Sequence, residues 1–206
     1  MSKLIYLNGA SSSGKTEISK ELQIIFEETF LHISSDTFSS FYPPKKAPLK
    51  NYSAEYLSAV RKNLKSQEKP SIVQLYNSFI LSMLKEGMNV IADTTFLKYM
   101  TIEEIKKLAI EEAYLIDVTC DLEIMEEREK KRADRPIGAA KTHVEFCYDY
   151  KSNDFCIDTS KLDAETCAEQ IKKMILSKTP QAFTQIIRKY QDQPQFSLFE
   201  NWTKNQ

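Results

Sequence analysis

The chain is short of glycine, with four in 206 residues. Two of the four, Gly9 and Gly14, stand in one loop near the start, so scarce backbone freedom is concentrated there. It lacks any Cys-x-x-Cys pair. Cys120, Cys147, Cys156 and Cys167 fall singly inside apolar stretches. That pattern argues for buried free thiols in a reducing compartment, against disulfides or a metal site. It lacks an excess of either charge: 28 Lys and Arg face 29 Asp and Glu, a net of −1. A broad basic face for a nucleic-acid backbone is therefore excluded, although a local basic pocket for a small anion is not. No apolar run approaches the roughly 20 residues of a membrane-spanning helix. Nothing like a signal peptide precedes the first strand-like run, so a cytoplasmic location is expected.

What is present is ordinary for a globular protein: 42% hydrophobic and 28% charged residues. The length suits one compact domain with a short appendage. Apolar runs and helical patterns alternate along it. Leu4 to Leu7, Phe30 to Ser34, Asn89 to Ala92, Tyr114 to Thr119 and Phe155 to Ile157 read as five short strands. Between them, Ile18, Leu22, Ile25 and Phe26 mark one helical face. Further helices are expected over about 53–64, 71–85, 101–112, 121–131 and 163–176. Strands separated by helix-length segments predict βαβ units, hence an α/β fold with a parallel five-stranded sheet flanked by helices on both faces. The stretch holding Phe38, Phe41, Tyr42, Pro43, Pro44, Pro48 and Tyr52 reads as a loop or lid, because its prolines forbid regular structure.

Gly9, Ala10, Ser11, Ser12, Ser13, Gly14, Lys15 and Thr16 fit G-x-x-x-x-G-K-[ST] without exception. A loop that wraps a phosphate must aim successive backbone N–H groups inward. Side chains at Gly9 or Gly14 would obstruct that path or demand an unfavourable φ. A helix starting near Gly14 adds its positive end. Lys15 is placed to reach the β- and γ-phosphates, and the Thr16 hydroxyl to ligate Mg²⁺. The motif follows an apolar strand and precedes an amphipathic helix, the context it needs.

Two carboxylates close strands. Asp93 ends the third and reads as the acidic partner of Thr16 at the metal, or as a plain turn residue. Asp36 follows the second. It reads either as acceptor of a substrate hydroxyl proton or as a turn former and helix cap. Arg128, Arg132 and Arg135 recur at i, i+4 and i+7 beside Pro136 and Gly138, so one helical face could aim guanidinium groups at transferring phosphoryl oxygens. The surrounding Glu126, Glu127, Glu129, Lys130 and Lys131 read as a solvated face. No N-K-x-D guanine signature ends a strand, which favours ATP over GTP. His32 alternates within a strand and reads as structural. His143 is a lone histidine near the lid and carries little.

These blocks, in this order, resemble the chloramphenicol phosphotransferase-like P-loop kinases. They are Ile5 to Thr16, Ser35 to Phe38, Ile91 to Leu97, and Cys120-Asp121 with Glu127 to Glu129. Arg132 to Arg135, Gly138 to Ala140 and Asp158 to Ser160 complete the series. They span about residues 3 to 176. The resemblance implies a nucleoside-kinase-like P-loop domain using ATP and Mg²⁺ to phosphorylate the hydroxyl of a small molecule. It implies Asp36 as base, Gly14, Lys15 and Thr16 at the nucleotide, and Arg132 and Arg135 in the lid. The domain is expected over 1–178, with a substrate loop at about 37–70 and a lid at about 132–141. Residues 179–206 lie outside the resemblance and read as a helical or flexible extension that docks on the domain, meets a protein partner or self-associates. A nucleotide-switched regulator, or a kinase acting on a nucleotide-sugar or a macromolecule, remains an alternative.

Overall fold

The structure is a computed structural model that describes residues 2–40, 72–95, 97–132, 138–144 and 147–198. The helix expected at about 53–64, most of the substrate loop, Arg135 and the last residues of the extension lie outside these.

Five strands form one parallel sheet: β1 (Leu4–Asn8), β2 (Phe30–Ser34), β3 (Asn89–Thr94), β4 (Ala113–Thr119) and β5 (Phe155–Asp158). Their order is β2-β3-β1-β4-β5. β1 sits at the centre, with Ile5 opposite Ile91 on one side and Tyr114 on the other. All of β1 is buried because both faces are covered. Leu4 and Tyr6 point into one core cluster, Ile5 and Leu7 into the other. β4 alternates likewise, Leu115 against Ile116. This is why the central strands read as continuous apolar runs rather than as polar–apolar alternation.

Helices α1 (Lys15–Ile25) and α7 (Ala164–Ser177) cover one face through Ile18, Leu22, Ile171 and Ile175. Helices α3 (Ile72–Lys85), α4 (Ile102–Leu108) and α8 (Ala182–Lys189) cover the other through Tyr76, Ile80, Ile105 and Phe183. Two of these five helices start at a capping side chain. Thr101 and Glu104 form a capping box on α4, and the Asp163 carboxylate accepts from the Thr166 N–H at 2.8 Å on α7.

Several expectations shift. Phe38 is not in a loop: Ser35–Ser40 forms a short helix, α2, whose Phe38 ring packs on Tyr76 and Phe79. The prolines that argued for a loop begin only at Pro43. The helix expected to reach residue 112 stops at Leu108, because the chain must turn to align Ala113 with Leu4. The four cysteines are free, but only Cys147 and Cys167 are buried. Cys156 is exposed because β5 is the edge strand. Among the described residues no helix is long and apolar enough to cross a membrane.

Candidate active site

From the central β1 the chain crosses to β2 at one edge, comes back to β3 between them, and then passes to β4 and β5 on the other side, so its direction reverses beside β1. A crevice opens at the carboxyl ends of the strands at such a point. The loop of residues 9–14 leaves β1 there and enters α1. A Cβ on Gly9 would lie 2.5 Å from the Val118 carbonyl oxygen, so close approach to β4 demands glycine. Gly14 has φ +94, so backbone conformation demands glycine at the second position.

Lys15 is almost wholly buried and folds over its own loop. Its Nζ donates to the carbonyls of Gly9 at 3.1 Å and Ala10 at 2.7 Å, and reaches Ser13 Oγ at 3.4 Å. The Thr16 hydroxyl donates to Asp93 Oδ2 at 2.6 Å. His32 Nε2 lies 3.4 Å from the same oxygen. Burial pushes the Asp93 carboxyl up, but the His32 and Thr16 hydrogen bonds and the Lys15 charge outweigh it and hold it below the usual carboxylate range. A hydroxyl and an ionised carboxylate in contact form a hard oxygen pair, the donor type Mg²⁺ prefers. The first turn of α1 lies beside them, with Gly14 at its N-cap and no side chain capping it. Its residues line a cavity of about 500 Å³. Backbone donors, an ammonium and an oxygen pair in one cleft fit a Mg²⁺-bound polyphosphate.

The same cavity is lined by Asp36, Asp93, Arg128 and Arg132, with Thr159, Leu162 and Ala164 on the β5 side. The sequence-predicted residues Lys15, Thr16, Asp36, Asp93, Arg128 and Arg132 are therefore brought together. Asp36 lies in the first turn of α2 and is exposed. Helix α5 (Leu122–Arg132) carries Arg128 and Arg132. Arg128 braces the loop: Nη1 donates to the Ser12 carbonyl at 3.2 Å and Nη2 to the Thr159 carbonyl at 3.1 Å. Glu129 departs from the solvated face expected of it. It is buried and accepts from the N–H groups of Gly138 at 3.1 Å and Ala140 at 2.7 Å, which caps α6 (Ala139–Val144).

Other residues are found only in three dimensions. The Ser11 N–H donates to His143 Nδ1 at 3.3 Å, and the Ala10 N–H to the Tyr148 hydroxyl at 3.1 Å. Tyr148 in turn donates to the Val118 carbonyl at 2.8 Å. These partners are more than 130 residues from the loop, and neither has a local sequence signal. His32 reaches Asp93 because β2 and β3 pair with Ser34 beside Asp93.

Fold and cleft define a P-loop phosphotransferase of the kinase type. Residues 2–176 match the family described as chloramphenicol phosphotransferase-like protein, and the chain belongs to it. A Mycobacterium tuberculosis protein assigned as an O-phosphotransferase, present in two strains, is 26% identical over 200 residues, covering 91% of this chain and 89% of its own. A sugar kinase from Janibacter superposes with TM-score 0.58 at 15% identity, over 85% of this chain and 95% of that one. Shikimate kinase from Acinetobacter baumannii superposes with TM-score 0.56 at 16% identity, over 86% and 94%. The chain is thus an enzyme that transfers a phosphoryl group to a hydroxyl acceptor.

Proposed function

We propose that this enzyme moves the γ-phosphate of ATP to a hydroxyl group of a small molecule, with Asp36 accepting the hydroxyl proton. The observation that carries this reading is the single cavity shared by Lys15, Thr16, Asp93, Asp36 and Arg132. Phosphoryl transfer asks little covalent chemistry of the protein; it asks for alignment and for charge opposite developing charge. Lys15 and the first-turn N–H groups of α1 hold the β- and γ-phosphates. Thr16 and Asp93 would hold Mg²⁺, which supplies charge neutralisation at the phosphates when bound. Arg132 reaches the same cleft from α5 and adds positive charge as the phosphoryl group departs. Arg135 is assigned the same work from the lid. Arg128 serves by fixing the loop's shape. The catalytic domain on this reading is residues 1–178, with the acceptor loop at about 37–70 and the lid at about 132–141.

The test is ADP release with Mg²⁺ and ATP across amphenicols, nucleosides, nucleotide-sugars and sugars, with Asp36→Asn as control. Release stimulated by a small acceptor and lost in the variant is expected. Stimulation only by a macromolecule, or by nothing, would overturn the small-molecule reading.

A further inference from the structure

His32 lies on β2, opposite Ile91 of β3. Phe30, two residues before it and so on the same side of the sheet, packs in one core cluster with Ile91 and with Ile18 and Leu22 of α1. An apolar side chain at position 32 would extend that cluster; the chain has an imidazole there instead. Asp93 stands two residues beyond Ile91 on the same face, which makes it the diagonal neighbour of His32, within reach of a long side chain. Nε2 of the ring lies 3.4 Å from Asp93 Oδ2, the same oxygen that accepts from the Thr16 hydroxyl at 2.6 Å. An ionised carboxylate only accepts, so the ring donates through Nε2–H. Both donors therefore land on Oδ2, and among the described residues no hydrogen bond is made to Oδ1. The Thr16 hydroxyl has one proton, given to Oδ2, and its lone pairs remain for a cation. Thr16 and Asp93 are among the described residues that line the cleft; His32 is not. The ring thus holds the carboxylate from behind.

We propose that His32 is a positioning residue: by holding Asp93 Oδ2, it keeps the carboxylate set so that Oδ1 and the Thr16 lone pairs are available to Mg²⁺ at the nucleotide. The proposal rests on the reading of Thr16 and Asp93 as the Mg²⁺ pair. It gives His32 no contact with ligand and no proton to transfer. Donors behind a metal ligand orient it, and their loss typically costs about 10–100-fold in metal affinity. The signature is selective: removing the ring's donor weakens the Mg²⁺-dependent part of nucleotide binding and leaves the metal-free part alone. A histidine that served packing alone would move both together.

The experiment measures calorimetric binding of a non-hydrolysable ATP analogue across a Mg²⁺ series and in EDTA. It compares wild type with His32→Leu, His32→Gln, Asp93→Asn and the double variant His32→Leu with Asp93→Asn. His32→Leu removes the donor at similar volume; His32→Gln keeps an N–H at similar reach. The Mg²⁺ concentration for half-maximal enhancement should rise about 10-fold in His32→Leu and stay within about threefold in His32→Gln. Affinity in EDTA should match wild type in both. With Asp93→Asn already present, His32→Leu should add no further rise, because the two residues act as a unit. An unchanged Mg²⁺ requirement in His32→Leu, an equal loss of affinity with and without Mg²⁺, or a glutamine variant as impaired as the leucine one would overturn the proposal. If thermal unfolding shows that His32→Leu does not fold, His32→Asn, whose amide stops short of Asp93, is held to the same outcomes. Asp93→Asn separates the two readings. If it keeps the wild-type Mg²⁺ requirement, the metal-pair reading fails and takes the His32 proposal with it. If it raises the requirement and His32→Leu does not, the pair stands and His32 alone is wrong.

Discussion

In the sequence Lys15 belongs to a motif of fixed spacing while Asp36 reads either as a base or as a turn former, and the structure gives the two different surroundings. Lys15 is buried and holds two loop carbonyls. Replacing it by alanine removes the cleft's central cation and loosens the loop. Phosphoryl transfer should fall at least about 10²-fold, the usual scale for one positioned charge donor. Circular dichroism should show the fold retained; transfer at the wild-type rate would refute the loop assignment. Asp36 is exposed at the start of α2, and its substitution should leave ATP binding intact. Asp36→Asn should cut transfer by about 10²–10⁴-fold, the range for a general base, while calorimetric ATP affinity stays within a factor of about two. A variant with undiminished transfer would return Asp36 to a turn-forming role. The loop was legible because its residues are contiguous and their spacing is fixed by backbone chemistry. His143, Tyr148 and His32 were not, because their contacts depend on packing between distant segments.

Among the elements, the central strands carry a second polar feature, below the cleft. Asp117 on β4 is buried; its carboxylate accepts from Asn8 on β1 at 2.7 Å and from Asn153 at 2.9 Å. Burial pushes its pKa up to about 6, and the two amide hydrogen bonds only partly offset this. Between the unfolded value near 3.8 and about 6, the native state holds a proton that the unfolded chain has lost. The group's stabilising contribution is therefore full below pH 3.8 and is lost as pH rises through 6. Asp117→Asn carries no such titration. Its stability relative to wild type should rise between pH 4 and 6.5, by up to about 3 kcal/mol for a shift of this size. Urea unfolding at a series of pH values reads this directly; a flat difference would mean that Asp117 stays ionised in the fold. In the sequence, Asp117 was merely one polar residue within an apolar strand. What could be read was the element itself, from its β-branched run and length. Helix α4 shows the converse. Its start near Thr101 was legible, and the capping box with Glu104 fixes it there, but its end was not, since that end answers to the register of β4.

At the scale of the whole molecule, the parallel sheet followed from five apolar runs spaced by helices. The fate of the last stretch did not, because its apolar residues fit a partner's surface as well as the chain's own. In the structure, α8 and the turns after it complete the core over one sheet face. Phe183 is buried edge-on against Tyr6 of the central strand, at 5.8 Å between ring centroids. Tyr190 stacks on Phe196 at 4.3 Å, and the N–H groups of Ile102 and Glu103 donate to the carbonyls of Phe196 and Pro194. The extension therefore supplies side chains to the core cluster that holds Leu4, Tyr6 and Leu115. It follows that Phe183→Ala should cost about 3–5 kcal/mol, the transfer of a large aromatic plus the cavity it leaves. Removal of residues 179–206 should cost more, since Ala182, Ile186 and Leu198 leave the same cluster. The measurement is the urea midpoint of the full chain, the point variant and the truncated chain. A truncated chain as stable as the full one would mean that the extension only lies on a sheet face already sealed. The graded loss expected here would make it part of the kinase domain's own core, although residues 177–206 lie beyond the family match.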